Sequence, residues 1–158
     1  MTIALATDHS GFPMKGEVRS VLDDLGIEVI DHGAFKQERV DFPDLARKVC
    51  RSVQSGEAER GIMLCGTGIG AAIAANKFRG IRACVCHDAY SAHQGVEHDD
   101  MNVLCLGGKI VGPWLARELI TAFVNASFTT DDYFRRRLAK LQVMELDAAR
   151  ETCEARER

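Results

Sequence analysis

Cys65 is followed by three glycines spaced two apart, Gly66, Gly68 and Gly70, with Thr67 and Ile69 between them. The apolar run Gly61 to Leu64 precedes this group and the alanine-rich stretch Ala71 to Lys77 follows it, a pattern that reads as strand, tight turn and helix. Glycines let the backbone approach a ligand, and the first turn of a helix leaves amide N–H groups free to meet an anion or a developing oxyanion. A cysteine at the mouth of such a cradle has the positive end of the helix beside it, which favours thiolate over thiol. Cys65 is thus either a reactive base or one more small buried hydrophobe.

Other groups that could do chemistry stand at predicted strand ends. Asp8-His9-Ser10-Gly11 follows the apolar run Ile3 to Ala6, and Cys86-His87-Asp88 stands at the end of the apolar run Ile81 to Cys86. Cys84, Cys86 and His87 have a ligand-like look, but residues two apart on a strand only share a face, so no metal site is predicted. The six cysteines (Cys50, Cys65, Cys84, Cys86, Cys105 and Cys153) lack paired spacing and fall mostly in apolar segments, which suggests reduced thiols in the cytoplasm.

The elements that must position these residues alternate along the chain. Pro13 opens a helix with the apolar face Met14, Val18, Val21, Leu22 and Leu25, and Gly26 stops it. Ile27 to Ile30 is a second strand. Asp41-Phe42-Pro43-Asp44 starts a helix carrying Leu45, Val49 and Val53, which closes near Gly56. After the strand Gly61 to Leu64, the alanine-rich helix is expected to end around Lys77 to Gly80, with a fourth strand from Ile81 to Cys86. Asp88 suits the cap of a helix running to about Glu97, Val103 to Leu106 is the fifth strand, and Pro113 opens another amphipathic helix. Five short apolar strands separated by helices predict an α/β fold of three layers, a Rossmann-like parallel sheet with helices on both faces, over residues 1–130. Ligands in such sheets gather at the carboxyl ends of the strands. Residues 131–158 differ in character, being rich in charge with a narrow stripe of Phe134, Leu138, Leu141 and Met144. That stripe suits a C-terminal helix laid on a partner subunit, or one packed on its own domain.

The whole sequence is 158 residues, 46% hydrophobic and 27% charged, with a formal net charge of −3. It suits one soluble domain, and the absence of a basic stripe argues against nucleic acid or a membrane surface as partner. No apolar run has membrane length, and the N-terminus reads as a first strand rather than a signal peptide. Gly66-x-Gly68-x-x-Ala71 also fits the dinucleotide fingerprint, with Asp88 near the place of a ribose-binding acid, but two strand-helix units precede it where the fingerprint normally follows the first strand.

Taken in order, Asp8-His9-x-Gly11, Cys65-Gly66-Thr67-Gly68-Ile69-Gly70, Ile73-Ala74-Ala75-Asn76-Lys77, Gly80-Ile81-Arg82-Ala83, Tyr90-Ser91-Ala92 and His98-x-Asp100-x-Asn102-Val103-Leu104 resemble the sugar-phosphate isomerases of the ribose-5-phosphate isomerase type B and galactose-6-phosphate isomerase group. The resemblance implies cofactor-free interconversion of an aldose phosphate and its ketose, of the kind used in pentose phosphate metabolism. It also implies a homodimer or dimer of dimers whose active sites are shared between subunits. Under it, Cys65 is the base, Thr67 and the Gly66, Gly68, Ile69 and Gly70 backbone bind the enediolate, and His98 opens the sugar ring. Asp8 and His9 would bind sugar hydroxyls or the phosphate, with Asp99, Lys109 and Arg137 completing the substrate site. Three positions depart from the family pattern: Asp99 stands for Asn, Lys109 for Arg, and Tyr133 for the first of two arginines, which points to altered substrate preference such as a four- or six-carbon sugar phosphate. A nicotinamide enzyme and a noncatalytic sugar-phosphate sensor are the alternatives from other classes.

Overall fold

In the computed structural model, the backbone is described for residues 1–156 and the side chains through Glu151. The Cys153 side chain and the last two positions of the predicted C-terminal helix therefore lie outside what is described. The strands are β1 (Thr2–Thr7), β2 (Glu28–Asp31), β3 (Arg60–Cys65), β4 (Ala83–Val85) and β5 (Val103–Gly107). The helices are α1 (Lys15–Asp24, entered through a 3-10 turn at Phe12–Met14), α2 (Phe42–Ser55), α3 (Ile69–Ala75), α4 (Ala89–Asp99), α5 (Pro113–Asn125) and α6 (Asp132–Arg156). All strand pairs are parallel, in the order β2-β1-β3-β5-β4. The predicted α/β architecture is the one observed.

Alternation along each strand sorts the core into two halves. Ile3, Leu5, Ile62, Leu64, Leu104 and Leu106 pack on one face against Val18, Leu22, Val96, Leu119, Ile120 and Phe123 of α1, α4 and α5. Ala4, Ala6, Met63, Cys65, Val103 and Cys105 face α2 and α3, whose contacts are largely small: Ala46, Cys50, Ala71, Ala72 and Ala75. Each large aliphatic side chain removed from water in this way contributes about 1.5–3 kcal/mol. Alanines on the second face let α3 sit close to the sheet, which brings its first turn up against the end of β3.

The boundaries that differ from expectation have local causes. The alanine-rich helix stops at Ala75 because the Asn76 carboxamide is engaged elsewhere. Its Oδ1 accepts from Ala83 N at 2.9 Å and its Nδ2 donates to Ala83 O at 2.8 Å. Residues 81 and 82 drop out of the predicted fourth strand because Arg82 N donates to the Asn102 side chain rather than to a strand. Asp88 caps α4 as predicted, accepting from Ser91 N at 2.7 Å. The helix then continues two residues beyond Glu97, to Asp99.

At the carboxyl ends of β1, β3 and β5 the backbones touch. A Cβ on Gly107 would lie 2.8 Å from the Thr67 carbonyl carbon and 2.9 Å from Thr67 Cα, while one on Gly16 would meet nothing within 4 Å. Gly107→Ala is therefore expected to cost about 1–3 kcal/mol. Gly16→Ala, within α1, should stabilise by about 0.5–1 kcal/mol. Urea unfolding of the two variants beside the wild type checks both signs.

Candidate active site

The chain leaves β1 toward β2 on one side and returns to β3 on the other, so a crevice opens between the carboxyl ends of β1 and β3. Asp8 follows the last residue of β1 and Cys65 ends β3. Cys65 is buried, and its Sγ accepts the Gly68 N–H at 3.1 Å. Gly68 can direct that amide inward because it is left-handed, with φ +82°. Thr67 is exposed beside it, its hydroxyl 3.4 Å from Ile69 N. Further first-turn amides of α3 have no carbonyl of their own helix to bond. A sulfur that accepts an N–H, a hydroxyl and a row of free amides form a place suited to negative charge.

The surrounding residues close this cradle on three sides. Asp8 is buried and its Oδ1 accepts from Ser10 N at 2.8 Å and Gly11 N at 2.9 Å, so one carboxylate oxygen shapes the loop. His9 is half-buried, and its Nδ1 is buried without a hydrogen-bond partner among the described residues. Ser10 and the aliphatic stem of Lys109 flank Gly66, and Lys109 N donates to Gly66 O at 3.1 Å. Across Gly70 lies the Phe42 ring, whose atoms stand 3.0–3.3 Å from where a Cβ would be. Phe42 escaped the sequence reading. Phe42 reads there as the start of a helix, and only the fold carries that start over to α3.

The other predicted residues assemble elsewhere. His98 and Asp99 end α4, which runs back from the carboxyl end of β4, so they lie near the amino end of the sheet, where β5 begins. About 13 Å, the length of β5, separates this end from Cys65. The half-buried His98 ring stacks on Phe134 of α6 at 3.9 Å, and its Nδ1 is 2.8 Å from Gln94 Nε2. A carboxamide N–H donating to Nδ1 leaves the proton of a neutral ring on Nε2. That Nε2 lies 3.8 Å from Glu97 Oε2. One turn along α6, Arg137 donates to the Tyr133 hydroxyl at 3.2 Å and lies over its ring at 5.0 Å. Asp99 is exposed, and Lys109 is not its neighbour within one chain. The predicted set is thus two groups at opposite ends of the sheet. The sequence stripe contains Phe134, but nothing in its spacing foretells the stacking on His98.

Comparison with known proteins shows the family and the fold. The family model described as Ribose/Galactose Isomerase matches residues 3–141. The ribose-5-phosphate isomerase B of Escherichia coli is 46% identical over 126 residues, covering 80% of this chain and 85% of that one. The D-erythrulose-4-phosphate isomerase of Pectobacterium atrosepticum is 38% identical over 129 residues, covering 81% and 85%. The solved ribose-5-phosphate isomerase B of Clostridium thermocellum superposes with a TM-score of 0.90 at 42% identity, covering 94% of this chain and 99% of that one. The chain belongs to the ribose/galactose isomerase family.

The thiols of this isomerase are not equivalent. Burial pushes Cys50 up to about 11 and Cys86 up to about 12, and Cys105, fully enclosed, goes well above the ordinary thiol range. Partial burial and the Asp99 carboxylate raise Cys84 as well. Cys50 also directs its sulfur at the Ala75 carbonyl, 3.8 Å away. Asp88, the acid a dinucleotide site would need, spends its carboxylate on capping α4, and hydrogen bonds from Ser91 hold it below the usual carboxylate range. Among the described residues no group of three His, Cys, Asp or Glu is placed to hold a metal ion, and no helix is long and apolar enough to cross a membrane. Iodoacetamide at pH 7.5 should label Cys65 ahead of Cys50, Cys86 and Cys105, which remain protonated because their raised values lie far above that pH. Peptide mapping after partial reaction reads the order.

Proposed function

We propose that the isomerase interconverts an aldose phosphate and its ketose through an enediolate, with Cys65 as base. The observation that carries this reading is the Cys65 sulfur accepting the Gly68 amide at the crevice between β1 and β3. In the step, the thiolate removes the proton from C2 of the open-chain sugar and the electron pair forms the C1–C2 double bond, leaving charge on the C1 oxygen. Thr67 and the amides around Gly66, Gly68, Ile69 and Gly70 stabilise that oxygen. The C2 hydroxyl proton passes to the C1 oxygen, the C2=O bond forms, and the C1–C2 electron pair takes the proton back from the sulfur at C1, which gives the ketose. Asp8 and His9 bind the sugar from the β1 side.

Ring opening needs an acid-base group at the same sugar. His98 supplies it from a second copy, because its own chain holds it at the far end of the sheet. Arg137, together with Lys109 of the chain that holds Cys65, takes the phosphate. Ile69, Ile73, Tyr90 and Ile110 are all exposed around the cradle, an apolar surface that a second copy would cover. Relatives named for ribose 5-phosphate and for erythrulose 4-phosphate support a four- or five-carbon sugar phosphate as substrate.

Mixing tests the shared site. Cys65→Ser and His98→Asn chains should each be nearly inactive, and co-refolding them one to one should recover about a quarter of wild-type activity, since half the random pairs hold one intact site. No recovery would place both groups in one chain's site and overturn the sharing. A panel of four-, five- and six-carbon aldose phosphates assayed for ketose identifies the substrate.

Asp99 lies beside His98 and adds negative charge where a phosphate would approach. Asp99→Asn should raise kcat/KM for ribose 5-phosphate relative to the best substrate of the wild type. An unchanged ratio would put Asp99 outside the substrate's reach.

A further inference from the structure

The segment Gly80 to Arg82 leads into β4 and lies beside the last turn of α4. The Arg82 guanidinium donates from Nε to the Asp100 carbonyl at 2.6 Å and from Nη2 to the Asp100 carboxylate at 2.6 Å, a charge-assisted fork. Asp100 caps α4 in the left-handed region, with φ +52°, two residues after His98, so the fork holds the turn that carries the imidazole. From the same guanidinium, Nη1 donates to the Gly80 carbonyl at 3.1 Å, and Asn102 Nδ2 donates to that carbonyl at 2.8 Å. Gly80 is thereby held by its oxygen, and its N–H is directed at α6, where both Glu145 carboxylate oxygens accept it at 2.9 and 3.1 Å.

These contacts close a ring. It runs from Glu145 through Gly80, Arg82 and Asp100 to His98, whose imidazole stacks on Phe134, and returns along α6 to Glu145. Phe134 and Glu145 lie about three turns apart, about 16 Å along the helix axis. Leu138 and Leu141 stand between them on the same side, lining a crevice with Gly80, Ile81 and Arg82. One contact fixes a point of a helix, whereas two fix its direction and its roll. Arg137 is carried between the two anchors and donates to the Tyr133 hydroxyl. About 12 Å of helix separates it from Glu145, which therefore does not reach a phosphate held there.

We propose that Glu145 is a positioning residue: by tying α6 to Gly80 it presents His98 and Arg137 as one unit to Cys65 of a second copy. The assignment rests on the reading of His98 and Arg137 given under the proposed function. Freed at Gly80, α6 can roll about the stack on His98. A roll of about 10° moves a group about 6 Å off the helix axis by about 1 Å, and an error of that size at a binding or reacting group is felt in turnover.

Mixed chains test the assignment. When Cys65→Ser and His98→Asn chains pair, the one intact site takes Cys65 from the His98→Asn chain and His98 with Arg137 from the Cys65→Ser chain. Glu145→Ala placed on the Cys65→Ser chain should raise KM about fivefold or more with kcat changed less than about twofold, and the inhibition constant for inorganic phosphate should rise with KM. Placed on the His98→Asn chain, where it sits in the site already broken, the same substitution should leave KM as it was. Glu145→Asp on the Cys65→Ser chain keeps the charge but is one methylene shorter, and should act like the alanine. Glu145→Gln there, whose carboxamide oxygen still accepts from Gly80 N, should stay near the unsubstituted pair. Equal KM in the two placements, raised or not, would overturn the assignment and leave the shared site standing. A pair that recovers no activity even with Glu145 intact withdraws the shared site, and the assignment with it.

Discussion

Glycines in the loops after β1 and β5 carry the arrangement of this isomerase. Gly11 lies so close to Leu64 that a Cβ would come within 2.7 Å of its carbonyl carbon, and one on Gly108 would come within 2.9 Å of Gly11 Cα. Gly108 N donates to Cys65 O at 2.8 Å, so the loop after β5 is hydrogen-bonded to the residue that ends β3. With no side chains between them, the loops after β1, β3 and β5 stack backbone on backbone. That contact fixes where the Cys65 sulfur, the Gly68 amide and the Asp8 turn lie relative to one another. The small second face of the core serves the same end, since α3 must come near enough to offer its first turn.

A parallel sheet imposes a direction on everything attached to it. Helices return antiparallel to the strands, so a residue at the end of a helix is delivered to the opposite end from a residue at the end of a strand. Cys65 ends a strand and Asp8 follows one; His98 and Asp99 end a helix. Their separation is a consequence of topology, and no rotamer change could close it. Phe134 and Gln94 hold the His98 ring by stacking and by a hydrogen bond, so the imidazole is oriented before anything binds.

Much of this was legible in the residues. Alternating apolar strands and amphipathic helices foretold the sheet, Asp88 announced its cap, and the glycine spacing after Cys65 marked the turn that the structure builds. What stayed hidden depends on contacts between distant segments. Nothing near Phe42 indicates that its ring covers Gly70, because that contact exists only once α2 and α3 pack side by side. The end of the alanine-rich helix was misplaced for the same reason: propensity favours continuation, and a carboxamide bonded to a strand seven residues on stops it. The resemblance grouped His98 and Lys109 in a site shared between subunits, and within one chain the topology holds them at opposite ends of the sheet.

The Asn76 carboxamide has a wider effect. Ala83 sits on the outermost strand, and its outward N–H and C=O are both bonded to that one side chain, which pairs with them as another strand would. An edge of only three residues, with Ala83 satisfied in this way, is a poor template for strand addition. At the other border, β2 is four residues long and begins with the exposed carboxylate of Glu28, which opposes the docking of a like edge. Both borders of the sheet are thus short and partly blocked, which favours contact between copies of this chain through helices and loops over strand addition.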